Sequence, residues 1–467
     1  MDKLCEEYQK RFCSSFDLSL VESTIGNKSC LYVYFDGFAD KDTLSKTVIE
    51  PLKKVEEVTI EELRKNAFSP VEIKEEKDFE ATVSALVEGK IVLCADDKFF
   101  SIPLFKYERR SIDEPPTSSV IKGPRAGFVE DISINTTLLR RRLKSPDLCI
   151  QRLQVGKYTS TTVAVCFLTG LADKKIVDTV TQRISRIDVD GVIDSSLIGM
   201  LIEDNKSSIF SQVASQEKPD IVVAKLLEGR VAIMVDGSPM VLTLPHLLLE
   251  NFQASDDYFK RTQRVSFVRI LRLLGLFLAT LLPAAYVAVQ EYQYQLIPFK
   301  FMITVINATN GTPLTPTFEM FLVLILFDVL NEASVRMPKY VGMALSIVGA
   351  IVLGETAVNA GLLSSPAVLI MAISAIGMYT TPNNIGTFSL IRLALLGLAS
   401  FLGICGIIAG LIVIAAHVAN LKSFDVDYTA PYSPIIFSDM KDGFIKSAIS
   451  SEFRPESIPN QNKRRQK

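Results

Sequence analysis

The sequence predicts a soluble α/β portion made of two tandem similar subdomains, followed by an all-α polytopic transmembrane domain. Two observations support this fold class. Between Leu273 and Leu421 only nine Asp, Glu, Lys or Arg residues occur, and Leu393–Leu421 contains none. An apolar run of that length exceeds the ~20 residues that a bilayer-crossing helix needs. The residues before 260, in contrast, are rich in charge and contain an internal repeat.

The composition narrows the class of protein. The 467 residues carry a net charge of -2 and include no Trp. No basic stripe with interleaved aromatics and no zinc-ligand spacing occurs, so we expect no nucleic-acid partner. The polar start lacks the apolar stretch of a signal peptide, which favours a cytoplasmic N-terminal domain. The seven cysteines form no CxxC pair and are expected to be free thiols, mostly buried.

An internal duplication is predicted by two matches in the soluble half. Residues 31–38 (LYVYFDGF) and 163–170 (VAVCFLTG) each indicate an apolar strand, which ends at Gly37 in the first and at Gly170 in the second. The residues that follow, Ala39–Lys41 and Ala172–Lys174, align at a shift of 133. The second match has a shift of 140 and relates Leu86–Val92 to Leu226–Ala232. The order strand, helix, helix, hairpin thus occurs twice, which indicates a repeated unit. Chance resemblance between two ordinary α/β units is the alternative.

These patterns predict the domain organisation. The expected segments are an N-terminal extension (1–27), a first α/β subdomain (28–110), a linker with a basic helix (111–144), a second α/β subdomain (145–250), a transmembrane domain (251–421) and a polar C-terminal tail (422–467). The basic helix ends in Arg140, Arg141 and Arg142 behind an apolar stretch. This triplet predicts either a solvated basic face or a contact with anionic lipid headgroups or an acidic partner.

No pattern in the soluble half indicates catalysis. Neither subdomain contains GxGxxG after a strand or GxxxxGK[ST], and the two histidines, His246 and His417, lie far apart in the sequence. We therefore predict that the protein is not an enzyme and has no cofactor or metal site.

The first predicted span begins after four arginines, a pattern that keeps that end of a span in the cytoplasm. Residues 317–333 have a short apolar core, so we expect a re-entrant segment there and four full spans. In this segment Asp328, Glu332 and Arg336 recur at four-residue spacing and are expected to stack on one helix face as ion pairs. Four spans leave Arg336 on the wrong side for the charge rule, and this conflict stays open.

Glu355 is the one charged residue between Tyr340 and Ile391, a stretch rich in small residues. Asn359 follows one helical turn later. An intramembrane carboxylate is costly unless it is paired or hydrated. We therefore take Glu355, Asn359, Asp328, Glu332 and Arg336 as pore or gating candidates. The alternative for Glu355 is a structural pair with an arginine or a helix end.

Several stretches of the chain are distinctive motifs, and the stretch from Ser346 to Glu355 (SIVGAIVLGE) is the most specific of them. The others are Arg110–Pro115, Gly123–Phe128, Asn135–Arg142, Asp190–Ser195, Leu227–Ala232 and Val235–Pro239. In this order the motifs resemble those of a known family, the A subunits of GerA-type nutrient germinant receptors of endospore-forming bacteria. The family tends to have two tyrosines where this chain has Tyr258 and Phe259.

This resemblance implies a multi-pass protein of the spore inner membrane with a cytoplasmic two-part N-terminal domain. It implies partners as well: a transporter-like B subunit, a lipoprotein C subunit, membrane lipid and further copies of the chain in a homo-oligomer. The implied function is a nutrient-gated ion channel that starts germination. A membrane-anchored scaffold or ligand-binding module of the germination complex is the alternative, as is the paralogous stage V sporulation AF group.

Overall fold

The first α/β repeat begins with a helix close to the N-terminus. In the computed structural model, which describes residues 2–25, 28–39, 41–52, 73–104, 123–338, 341–342, 349, 352–446, 454–460 and 462, this repeat comprises a five-stranded sheet and its flanking helices. Its elements are α1 (Asp2–Arg11), β1 (Leu18–Ile25), β2 (Lys28–Phe35), α2 (Lys41–Leu44, continued by Ser45–Ile49 and Glu50–Leu52), β3 (Lys74–Glu76), α3 (Phe79–Val87), β4 (Ile91–Ala95) and β5 (Lys98–Ile102).

The second repeat has the same order of elements, with one further helix, α6, that has no counterpart among the described residues of the first repeat. It contains α4 (Ile132–Arg142), β6 (Leu148–Val155), β7 (Thr161–Leu168), α5 (Lys174–Ser185), α6 (Ser195–Ile202), β8 (Ala214–Gln216), α7 (Pro219–Leu227), β9 (Val231–Val235) and β10 (Val241–Leu244). The strand order is β1-β2-β4-β5-β3 in the first sheet and β6-β7-β9-β10-β8 in the second. Every described strand pair in the two sheets is antiparallel. The predicted duplication is therefore confirmed at the level of topology.

Strand alternation places apolar residues on both faces of each sheet, because successive side chains of a strand point to opposite sides. In β2, Tyr32 packs in the core shared with α2, whereas Leu31 and Val33 pack in the core shared with α1 and α3. Burial on both faces explains why this strand is a continuous apolar run in the sequence. The predicted α/β fold class is correct.

The boundaries of the first repeat differ from the prediction. Residues 1–27 do not form a separate extension, because β1 pairs along its whole length with β2 and Tyr8 of α1 is fully buried. The predicted basic helix, α4, is likewise the first element of the second repeat rather than part of a linker. Its position before β6 corresponds to that of α1 before β1. Short polar stretches precede the hairpins β1–β2 and β6–β7, and they concealed in the sequence where the two repeats begin.

The described part of the second half, up to Asn420, is helical. They are α8 (Thr262–Glu291), α9 (Phe299–Thr309), α10 (Pro316–Arg336), α11 (Ser365–Met378), α12 (Ile385–Leu402) and α13 (Ile404–Asn420), with a π-helical turn at Val352–Thr356. Among the described residues, α8 and α12 are long and apolar enough to cross a membrane, and α11 and α13 are shorter apolar helices. The all-α prediction for this half is confirmed.

Residues 317–333, which were predicted to form a re-entrant segment, belong to one continuous helix, α10. Pro316 occupies the first helical position, and the Thr315 hydroxyl accepts the Phe318 N–H. At 1.5 Å per residue the 21 residues of α10 extend about 31 Å. The sequence suggested a shorter apolar core because acidic residues interrupt it, and two of these, Glu319 and Asp328, are engaged within the helical bundle.

The polypeptide divides into two compact units, and the C-terminal tail contributes to both. The first unit comprises Met1–Leu247, Lys422–Asp427 and Ile449–Lys467, and the second comprises Leu248–Leu421 and Tyr428–Ala448. In the first unit the Ser423 hydroxyl donates to the Gln212 carbonyl at 2.7 Å. The described residues of the predicted polar tail at 422–467 thus belong to both folded units.

Candidate functional site

An ion pair between a buried arginine and a partly buried aspartate joins two helices of the second unit. Arg392 lies in the middle of α12 with a fully buried side chain, and its Nη2 donates to Asp328 Oδ1 of α10 at 2.8 Å. The Asp328 side chain is 31% exposed, and its second oxygen accepts the Ser389 hydroxyl at 2.6 Å. A buried guanidinium cannot lose its charge at physiological pH, so this carboxylate is needed to compensate it.

Two further helices are tied into the same network. The Arg392 Nη1 donates to Ser374 Oγ of α11 at 3.0 Å. The Ser374 hydroxyl in turn donates to the Ala279 carbonyl of α8 at 2.7 Å. Together these contacts connect α8, α10, α11 and α12. A polar chain of this kind can fix the relative positions of helices in an apolar bundle.

Small residues allow the close approach that this network requires. A Cβ atom on Gly377 of α11 would lie 2.2 Å from the Gly275 carbonyl oxygen of α8. Real side chains do not tolerate such a contact, so only glycine fits at this crossing. Replacing Gly377 by any other residue would force α8 and α11 apart near Ser374 and Ala279.

The predicted stack of three charges forms only in part. Glu332 and Arg336 pair on the outside of α10, with Arg336 Nε 2.7 Å from Glu332 Oε1. Their side chains are 64% and 77% exposed. Asp328 does not join them, because it pairs across the bundle with Arg392 instead. The exposed pair contributes little to stability, whereas the buried pair has to be satisfied.

A second buried carboxylate connects α10 to α11. Glu319 is 1% exposed, and its two carboxylate oxygens accept the backbone N–H and the hydroxyl of Ser364. Ser364 is the N-cap of α11, so the carboxylate lies at the positive end of that helix. Glu319 is therefore satisfied as a cap that holds two helices together.

Glu355 and Asn359 are placed differently from the buried charges. Glu355 lies in the π-helical turn Val352–Thr356, and both side chains are exposed on the surface of the chain. A Cβ atom added to the neighbouring Gly354 would meet nothing within 4 Å. Such π-helical turns occur frequently at functional sites. The structure thus presents this carboxylate outward from the described bundle.

The arginine triplet of α4 separates into buried and exposed members. Arg140 is 4% exposed, and its Nη2 donates to Asp17 Oδ1 and Ser15 Oγ, both at 2.8 Å. Its guanidinium also lies 4.0 Å from the centre of the Phe35 ring. Arg140 is therefore not available to a lipid headgroup, contrary to the prediction, and it joins the two repeats. Arg141 is exposed and Arg142 is partly exposed.

Sequence reasoning missed Arg392 and Glu319 as site residues. Arg392 was recognisable as a charge within an apolar region, and Asp328 had the opposite sign in another apolar segment. Matching isolated charges of opposite sign across predicted spans would have suggested this pair. For Glu319 the signal was weaker, because its partner is a backbone N–H that no side-chain pattern reveals.

Comparison with known proteins places the chain in a family. The family model described as "Bacillus/Clostridium GerA spore germination protein" matches residues 6–457. Spore germination protein KA of Bacillus subtilis (strain 168) is 34% identical over 472 residues, covering 98% of this chain and 87% of that protein. Spore germination protein GerLA of Bacillus cereus is 32% identical over 467 residues, with coverages of 98% and 95%.

Two further similarities were found. The uncharacterized membrane protein YfkQ of Bacillus subtilis (strain 168) is 36% identical over 441 residues, covering 92% of this chain and 86% of YfkQ. The crystal structure of the N-terminal domain of the A subunit of the Bacillus megaterium spore germinant receptor GerK3 covers 53% of this chain and 95% of that domain, with 25% identity and a TM-score of 0.43. The match of the family model over nearly the whole chain confirms the predicted resemblance: the chain belongs to the GerA family of spore germination proteins.

Proposed function

We propose that this chain is the membrane subunit of a nutrient germinant receptor and that several copies assemble into a nutrient-gated ion channel. Relatives named as spore germination proteins support the role in germination. The observation that carries the channel proposal is the outward-facing carboxylate of Glu355 in a segment flanked by apolar helices. A charged side chain that faces lipid at the bilayer centre costs at least ~2.5 kcal/mol, so a polar environment is favoured for the Glu355 carboxylate.

An assembly of copies around a hydrated pathway would provide that environment. Glu355 would then attract cations, and Asn359, one turn further along, would supply an amide to the same lining. The buried Asp328–Arg392 pair would keep the surrounding helices in fixed positions while the outer segment moves. Glu332 and Arg336, which pair on the exposed face of α10, are the remaining candidates for contacts between copies.

Substitution of Glu355 by alanine is expected to reduce nutrient-triggered potassium release from spores by at least tenfold, because the cation-attracting charge is lost. Glu355→Asp, which keeps the charge, should retain part of the release. Glu75→Ala, which removes an exposed carboxylate on strand β3, is the matched control. Spores that carry this variant should release potassium normally. Normal release by Glu355→Ala at an unchanged protein level would exclude Glu355 from the mechanism.

For the topology we propose that both ends of the membrane region lie on the cytoplasmic side. Thr317 at the start of α10 binds the Glu291 carboxylate at the end of α8, so the two helices run in opposite directions. The Ile404 N–H at the start of α13 lies 3.4 Å from Gln293 Oε1, just beyond α8. The chain after α13 then returns to the beginning of α8, where Asp442 pairs with Arg269.

This arrangement resolves the charge conflict that four spans created. With α10 as a full crossing, Arg336 at its end lies on the same side as the arginines before α8. A single cysteine introduced at Asn462 in a cysteine-free chain should therefore react with a membrane-impermeant maleimide only after the membrane is opened, as one at Tyr158 should. Labelling of position 462 in intact cells, with position 158 still protected, would contradict a cytoplasmic C-terminal end.

The partners follow from the same proposal. We propose a transporter-like B subunit and a lipoprotein C subunit as receptor partners, in the spore inner membrane, and exposed Arg141 as a contact for lipid or an acidic partner. A scaffold or ligand-binding module is the second candidate, since two tandem α/β repeats could hold a ligand between them while the helices serve as an anchor.

A further inference from the structure

The C-terminal segment 428–446 is fastened to the beginning of α8 by a cluster of charges around the buried Arg269. Arg269 is 1% exposed, and its Nη1 donates to the Asp442 carbonyl, the Asp442 carboxylate and the Gly443 carbonyl at 2.9, 3.1 and 2.6 Å. On the other side, Arg269 Nε donates to Asp257 Oδ2 at 3.1 Å. A guanidinium enclosed in this way holds the segment firmly, because moving it away would leave a buried charge unpaired.

Lys446 makes a second attachment between the segment and the chain around the start of α8. Its Nζ donates to the Asp257 carbonyl at 2.7 Å, and its backbone N–H donates to Ser266 Oγ at 3.0 Å. Burial raises the pKa of Asp257, but hydrogen bonds from Arg272 and the Ala254 N–H outweigh it and hold that pKa below its usual range. The carboxylate therefore stays charged near neutral pH, and the cluster persists there.

The outer face of α8 is already apolar at this height. Phe267, directly after Ser266, is 62% exposed, and Ile270 and Leu274 on the following turn are 49% and 52% exposed. On a helix that crosses a bilayer, an exposed apolar face is the face turned to lipid. This exposed apolar face begins at the level of Ser266 and Arg269, which is where α8, as a crossing helix, would enter the membrane.

The attached segment carries large apolar side chains that nothing in the described chain covers. Ile435, Phe437 and Ile445 are 63%, 79% and 66% exposed. Ile445 directly precedes Lys446, which is bonded beside Ser266, and the exposed Lys441 lies between Phe437 and Ile445. Apolar side chains next to a lysine, held beside the entry of a span, have the composition of a membrane-interface anchor. The chain contains no Trp that could serve instead.

We propose that segment 428–446 is a membrane-interface element whose Ile435, Phe437 and Ile445 side chains insert into the bilayer beside α8, with Lys441 at the headgroup phosphates. The partner is the lipid surface itself. The element would hold the base of the first span at a fixed depth. Burying Phe437 and Ile445 in lipid would remove apolar surface from water that the isolated chain leaves exposed.

The absence of tryptophan gives a direct test. Ile445→Trp and Phe437→Trp each create a chain with a single tryptophan, which we would reconstitute at full length in vesicles containing lipids brominated along the acyl chain. We expect blue-shifted emission that brominated lipid quenches at least twofold in both variants. Phe267→Trp on α8 is the positive control, and Tyr158→Trp, at a position 86% exposed in the first α/β unit, is the control for water exposure.

Each outcome has a distinct meaning. Emission from both test variants like that of Tyr158→Trp, with Phe267→Trp quenched, would overturn the interface element and leave the membrane assignment intact. Blue-shifted emission without quenching would assign the patch to a second copy of the chain and would also overturn it. An unquenched Phe267→Trp would instead contradict the crossing of α8, on which both this inference and the proposed function rest.

Discussion

Replacing Asp328 by asparagine is expected to destabilise the membrane unit by about 3–5 kcal/mol, because it leaves the charge of Arg392 buried and unpaired. Asparagine can still accept the Ser389 hydroxyl, so the loss reports on charge rather than on that hydrogen bond. Unfolding of the detergent-purified chain, followed by heat or denaturant, measures the effect. The midpoint should fall well below that of the unsubstituted protein.

The converse substitution should be milder. Arg392→Met leaves Asp328 with a side chain that is 31% exposed, so that the carboxylate can be hydrated. In the double variant Asp328→Asn/Arg392→Met we expect part of the stability to return, because no buried charge remains. Glu332→Gln, which breaks the exposed pair on the same helix, is the matched control and should change stability by less than about 1 kcal/mol. Equal losses for Asp328→Asn and Glu332→Gln would contradict the account of the buried pair.

Substitution of Arg140 by alanine is the second large effect, with an expected loss of about 3–5 kcal/mol in the first α/β unit. The change removes both hydrogen bonds to Asp17 and the contact with Phe35, and it leaves a carboxylate buried at 6% exposure. Arg140→Lys should not rescue the unit fully, since an ammonium cannot match the paired geometry of the guanidinium.

The neighbouring arginine supplies the control for this second prediction. Arg141→Ala changes an exposed residue of the same helix and should alter stability by no more than about 0.5 kcal/mol. Thermal unfolding of the full-length chain, with protease resistance of the α/β unit as a second readout, distinguishes the two variants. A shift for Arg140→Ala as small as that for Arg141→Ala would show that the Asp17 pair does not hold the repeats together.

The duplication was predictable from the sequence, whereas the starts of the repeats were not. The apolar runs that form β2 and β7 recur at the predicted shift of 133, and β4 and β9 recur at 140. Strand β1, in contrast, has mostly half-buried residues. Its pairing with β2 depends on the tertiary structure and cannot be predicted from a local sequence pattern. The free, buried state of Cys94 and Cys166 agrees with the prediction.

The charged residues show which ion pairs can be predicted from the sequence and which cannot. Glu332 and Arg336 pair as the four-residue spacing predicts, because both partners lie on one helix. Arg140 and Asp17 are separated by 123 residues, and Arg392 and Asp328 by 64. Which long-range partner an isolated charge finds depends on how helices and strands pack, and local periodicity carries no information about it. The full length of α10 was missed for the same reason, because its acidic residues Glu319 and Asp328 find their partners on other helices.

The channel and the scaffold differ in whether the membrane half conducts ions by itself. Potassium efflux from liposomes that contain the purified full-length chain tests this most directly. The channel account predicts efflux well above that of empty liposomes, and a reduction of at least tenfold for Glu355→Ala with Glu75→Ala unchanged. Efflux no greater than that of empty liposomes, from protein that is correctly inserted and folded, would contradict the channel and leave the helices as an anchor.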